Sequence, residues 1–281
     1  MAQRTEPVPQ AAELVDRNDA EDLTAAGPGW QRILPAVFLA AIVGLWELAS
    51  RFTDVPVYIL PAPSAIVERL VRSWPLLWEH SIVTLTEIGI GFAVGVALGL
   101  ALAIPIAYST IFRNTIYPLI VASQAVPKIA IAPLMVLWLG FDIMPKIVVT
   151  ALMVFFPVTV TAAEGFSSVD RNLLDLLRSV HASPAQIFFK IRFPHALPQI
   201  FSGLKIGITL AVVGAVVGEW VGADSGLGYL LVYANTLLDS TLLFASLILL
   251  IAIGVVLFVI VGVLERLLLP WHRDDSTFIT A

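Results

Sequence analysis

The 281-residue chain has no cysteine and only 13% charged residues. The first absence excludes disulfides and thiolate metal sites and leaves the redox compartment undetermined. The second, beside 58% hydrophobic residues and a mean hydropathy of +0.91, excludes an ordinary soluble domain, which could not expose so much apolar surface to water. No G-x-x-x-x-G-K-[ST] loop is present, so the chain supplies no phosphate cradle of that kind for ATP. There is no H-E-x-x-H and no carboxylate pair, and His80, His181, His195 and His272 are scattered, which argues against a membrane enzyme. No repeat of 20–50 residues and no pair of matching halves is visible, which argues against a secondary transporter.

What remains is a succession of apolar runs. Crossing a hydrocarbon core of ~30 Å takes about 20 helical residues, and the uncharged stretches Ile88 to Tyr108 and Thr241 to Leu264 meet that length. Six spans are expected, at about 33–50, 86–108, 116–141, 147–164, 200–220 and 241–266. The second carries Gly91, Gly95 and Gly99 on one stripe, where another helix, expected to come from the same chain, can approach closely. Residues 51–80 read as a connection with a short surface helix presenting Ile66, Leu70 and Trp74. The third run is interrupted by Pro118, Pro127 and Pro133 and holds Lys128, so a straight helix is excluded. Gln124 and Lys128 are candidates for the lining of a substrate path; Lys128 could equally snorkel or pair within the bundle.

Between the fourth and fifth spans, within 165–198, lies a polar interruption, Asp170 to Pro198. Leu173, Leu176, Leu177 and Val180 recur at helical spacing, with Arg171, Asp175 and Arg178 on the other side. Ser183-Pro-Ala-Gln186 reads as a capping box that opens a second helix, and Pro194 is expected to stop it. The corner therefore falls at His181 to Ser183. Residues 1–30 hold six acids against Arg4 and Arg17, and read as a disordered cytoplasmic tail; 271–281 form a second tail. Eleven Lys and Arg fall on the side of the termini and the 170–198 stretch and four on the other, which places that stretch and both termini in the cytoplasm.

A cytoplasmic two-helix hairpin held between spans has the form of a docking knob for a soluble partner. Its sequence resembles the coupling-loop motif of ABC-importer permeases, Glu-Ala-Ala, three residues, Gly, nine residues, Ile, two residues, Pro. The register sets Asp175-Leu176-Leu177, then His181, Ile191 and Pro194 at that spacing. The stretches PKIAIAPLMVLWLGF (127–141) and GLGYL (226–230) are similar to the branch importing nitrate, taurine and aliphatic sulfonates. The chain departs from the motif in having Asp175 for glutamate, Leu176 and Leu177 for alanines and His181 for glycine.

The resemblance implies an all-α integral membrane protein of six transmembrane helices in the type I importer architecture, in the plasma membrane of a prokaryote. It implies a second copy of the chain, two cytoplasmic ATP-binding subunits that hold the ATP and Mg, and an extracytoplasmic solute-binding protein; no cofactor, metal or nucleic acid belongs to this chain. Leu173, Asp175, Leu176, Leu177, Arg178, Val180, His181, Ile191 and Pro194 would couple to the ATPase; the leucines could alternatively pack on this chain's own span ends. A sulfonate, nitrate or similar organic anion is the expected solute, with a pyrimidine or flavin vitamin precursor as the alternative. Glu219 and the 222–230 turn would serve an outer gate or docking surface, or else simply end a helix.

Overall fold

The computed structural model describes residues 33–53 and 56–271, which leaves both expected tails outside the described residues apart from Trp271. The described chain is all helix and turn. Five helices are each long and apolar enough to cross a bilayer: α1 (Leu34–Phe52), α3 (Trp74–Tyr108), α6 (Ile143–Ser167), α8 (Pro184–Gly222) and α10 (Ser240–Leu268). A sixth crossing is available from α4 (Thr110–Ser123) and the segment Lys128–Leu139, which includes α5 (Ala132–Leu139), bent by 87° at the break between them. Of the three prolines expected to interrupt this run, Pro127 sits at the one sharp corner, just before a 3₁₀ turn that begins at Lys128, whereas Pro118 lies inside α4 and Pro133 in the first turn of α5.

The core is built around α6, which lies along α3 on one side and α8 on the other. Glycine makes both seams possible. A Cβ on Gly91 would meet Thr150 Cβ at 2.5 Å, and one on Gly95 would meet the Ala151 carbonyl at 2.7 Å. A Cβ on Gly214 of α8 would meet Thr150 Cα from the other side, at 2.7 Å. The Gly91, Gly95 and Gly99 stripe therefore serves packing within the chain, which buries Val154 and Val158 between the helices.

Two boundaries differ from the expectation. The surface helix is α2 (Pro63–Arg72), with Ile66 buried, but α3 begins at Trp74, far ahead of the apolar run. Ser73 alone separates them, and Pro75, which cannot donate, sits in the first turn of α3, where no donor is needed. Second, Pro194 does not stop the helix. One π turn, Phe188–Arg192, ends with Phe193 N–H donating to the Phe188 carbonyl, five residues back. The wider turn shifts the ladder just before the proline, so its missing donor and bulky ring fall at the start of a new α-helical stretch. The hairpin's second helix is thereby continuous with a membrane-crossing helix.

Candidate functional site

The hairpin's first helix is α7 (Arg171–Ser179), started by Asp170, whose carboxylate accepts from Asn172 N–H at 2.8 Å. Its end is a Schellman closure: Ala182 N–H donates to the Leu177 carbonyl and His181 N–H to the Arg178 carbonyl, both at 3.0 Å. The residue such a closure turns left-handed is His181, at φ 62°. This is where the family motif has glycine, and the corner keeps the backbone a glycine would take while using histidine instead. The expected capping box is present in both halves, with Gln186 N–H donating to Ser183 Oγ at 3.3 Å and Ser183 N–H to Gln186 Oε1 at 2.8 Å.

The apolar residues of α7 divide into two faces. Leu174, which the periodicity did not single out, is buried with Val169 and Ile187, and Leu177, Ala182 and Ile191 pack against them. Leu177 therefore faces the chain's own core, which is the alternative expected for these leucines, rather than the docking face. The Schellman closure explains it, since that turn brings its third-from-last helical residue against the residue after the left-handed one, here Leu177 and Ala182. Leu173, Leu176 and Val180 remain outside, 40%, 61% and 67% exposed. Asp175 and Arg178 pair at 3.0 Å on the exposed side, where such a pair contributes only ~0–1 kcal/mol.

At the opposite end of the bundle a second group of side chains converges. The first three N–H groups at the start of α9 (Leu227–Thr236) are capped from other helices: Gly226 donates to His80 Nδ1 at 2.9 Å, Leu227 to Thr84 Oγ1 at 2.8 Å, and Gly228 to Glu219 Oε2. Thr84 in turn donates to Glu219 Oε1 at 2.6 Å. Gly226 (φ 110°) and Gly228 are required here, because a Cβ on either would run into the Glu219 carboxylate. Close by, Lys146 Nζ lies 3.0 Å from Glu87 Oε1, and both side chains are buried. Glu219 itself is 1% exposed, so it lines no open path in this conformation and acts as a remote helix cap. Sequence reading missed His80, Thr84, Glu87 and Lys146 as its companions; the available signal was the presence of ionisable residues beside apolar runs.

Gln124 and Lys128 flank the break between α4 and α5. Gln124 is exposed, and Lys128 is half-buried with Nζ 4.7 Å from the centre of the Phe156 ring on α6. The ammonium thus has an aromatic face and no carboxylate partner among the described residues.

A glycine-seamed helical bundle, a broken helix and a capped two-helix hairpin are consistent with the membrane permease of the ABC-importer class that the motif resemblance implies. Residues 95–273 match the family described as binding-protein-dependent transport system inner membrane component, and the chain belongs to that family. It is 38% identical over 247 residues to the formylaminopyrimidine transport permease protein ThiX of Halalkalibacterium halodurans, covering 88% of this chain and 98% of that one. It is 32% identical over 255 residues to the putative aliphatic sulfonates transport permease protein SsuC of Escherichia coli, covering 88% and 96%. Its fold is similar to a solved inward-facing structure of the MetNI methionine ABC transporter, with a TM-score of 0.55 and 20% identity over 71% of this chain and 95% of that one. The chain is a multi-pass permease subunit of a binding-protein-dependent ABC importer of type I architecture.

Proposed function

We propose that the 170–194 hairpin is the site at which a cytoplasmic ATP-binding subunit docks, one on each of two copies of this chain, and that an extracytoplasmic solute-binding protein delivers the solute to the opposite face. Both termini then lie in the cytoplasm, and the ATP and Mg are held by the partner, this chain contributing neither cofactor nor metal ligand. The observation that carries this reading is the exposed stripe Leu173, Leu176 and Val180 on a hairpin whose inner face is already satisfied by Leu174 and Leu177. Apolar side chains left out on a capped, polar hairpin have water as their alternative, and burial in a partner's groove is what they favour. His181, Asp175 and Arg178 stand at the rim, and Ile191 and Pro194 set the return into α8. Replacing Leu173 and Leu176 by Asp should release the ATP-binding subunit in a detergent pull-down while the permease stays folded; retention of the subunit would sink the docking assignment.

For the solute, the Lys128 ammonium at the bend, without a carboxylate partner among the described residues, favours an organic anion such as a sulfonate, with Gln124 a further residue of the path. A pyrimidine-type vitamin precursor is the second reading, favoured by the higher identity to ThiX. The ligand that the cognate binding protein retains on purification decides between them.

A further inference from the structure

The hairpin, α3 and α6 meet at the π turn of α8, where Arg192 makes the polar contacts. Arg192 is the last residue of the π turn in α8. Its Nη1 donates to the Phe166 carbonyl at 3.1 Å, and its guanidinium lies 4.6 Å from the centre of the Tyr108 ring. Phe166 is in the last turn of α6 and Tyr108 is the last residue of α3. Both contacts therefore fall at helix C-termini, where carbonyls lack intrahelical partners and a cation is favoured. Phe188, which opens the same π turn, packs on Phe166 and Tyr108 with ring centres at 5.6 and 6.2 Å. Arg113 ties the same two ends from α4, donating to the Ala107 carbonyl at 3.2 Å and Ser167 Oγ at 2.9 Å.

A displacement of the hairpin reaches α8 through the continuous helix. Apart from the packing of α8 along α6, no continuous helix leads from the hairpin to α3 or α6: non-helical residues 168–170 separate α6 from α7, and α3 ends some sixty residues earlier in the chain. We propose that Arg192 is the positioning residue that carries hairpin movement to the ends of α3 and α6, so that the three helices move as one body when the ATP-binding subunits close. This rests on the docking reading above. Arginine suits the task because a planar guanidinium can stack on a ring and donate to a carbonyl at the same time, whereas an ammonium is a single point of contact.

The absence of cysteine allows the test in the whole transporter. Thiols introduced at the exposed Ser179 and Thr110 carry spin labels, with labelled chain diluted into unlabelled chain and the ATP-binding subunits and binding protein present. With Arg192 in place, the Ser179–Thr110 distance should be the same with and without ATP and Mg. In Arg192→Ala the ATP-binding subunit should stay bound, the distance should shift or broaden on adding ATP, and stimulation of hydrolysis by the binding protein should fall about tenfold, within the usual range of coupling between sites. Arg192→Lys should fall between the two. An unchanged distance in Arg192→Ala overturns the proposal, as does a loss of hydrolysis and thermal stability with the distance preserved. Should Arg192→Ala not assemble, Tyr108→Leu removes only the ring beneath the guanidinium, and an unchanged distance there is equally fatal. Failure of the docking reading would show separately, as retention of the subunit by the Leu173 and Leu176 to Asp variant.

Discussion

His181 and Leu238 hold left-handed backbone, at φ 62° and 56°, and both do so for the same reason. Leu238 follows α9 as His181 follows α7, with Asp239 N–H donating to the Ala234 carbonyl at 2.9 Å and Leu238 N–H to the Asn235 carbonyl at 3.1 Å. Each side chain costs about 1 kcal/mol relative to glycine in that conformation. His181→Gly should therefore raise thermal stability modestly and leave ATP-driven uptake intact or improved. Loss of uptake would mean that the imidazole makes a contact of its own in the partner's groove. The corner was legible in the sequence because its determinants are local: a capping box, a proline at the first helical position and a motif position reserved for a left-handed residue. The inward turn of Leu174 and Leu177 was not, because four leucines in five positions satisfy a helical period on either face, and only the fold of the closing turn chooses between them.

At the scale of elements, α10 begins at a junction that joins three parts of the chain. Asp239 caps it, accepting from Leu242 N–H at 3.1 Å and from Thr241 Oγ1 at 2.6 Å, and pairs with Arg69 of α2 at 2.6 Å. Burial alone would raise the Asp239 carboxyl, but the hydrogen bonds from Thr241 and Leu242 and the Arg69 charge outweigh it and hold it below its ordinary value. The sign follows. A carboxyl depressed in the folded state adds stability above its unfolded value of about 3.9, and that increment is lost as pH falls through the lower folded value. Asp239→Asn keeps the cap but not the charge, so its melting temperature should lie slightly below wild type at neutral pH and converge with it in acid. A constant gap across the acid range would mean that the Arg69 pair contributes nothing. The continuation of α8 through Pro194 belongs to the same scale. A proline reads as a stop when each turn has 3.6 residues, and the one wider turn that accommodates it leaves no mark in hydrophobic periodicity.

For the whole molecule, the segments of high hydropathy and the broken third run follow from composition and proline placement, so the membrane class and the helical bundle were readable at once. The cluster that joins His80, Thr84 and Glu219 to the start of α9 was not, because its members lie 143 and 146 residues from the N–H groups that Thr84 and His80 receive, and no periodicity links positions so far apart. Orientation rests on the charge bias alone. A reporter active only outside the cytoplasm, fused after Asp170, should stay silent, and one active only inside should report; the reverse pattern would invert the molecule and move the hairpin away from any cytoplasmic ATPase.

The early start of α3 sets a further condition on the molecule. Thirty-five residues at 1.5 Å each make a rod of about 52 Å, roughly 20 Å longer than the hydrocarbon it crosses. Its uncharged run ends at Tyr108, so the surplus falls at the other end, before Ile88, and lifts His80 and Thr84 to the level of the lipid headgroups. Acyl-chain length then becomes a variable acting on the bonds that hold α9: a thicker membrane draws that end of α3 inward or tilts the rod, and a thinner one leaves more of it standing in water.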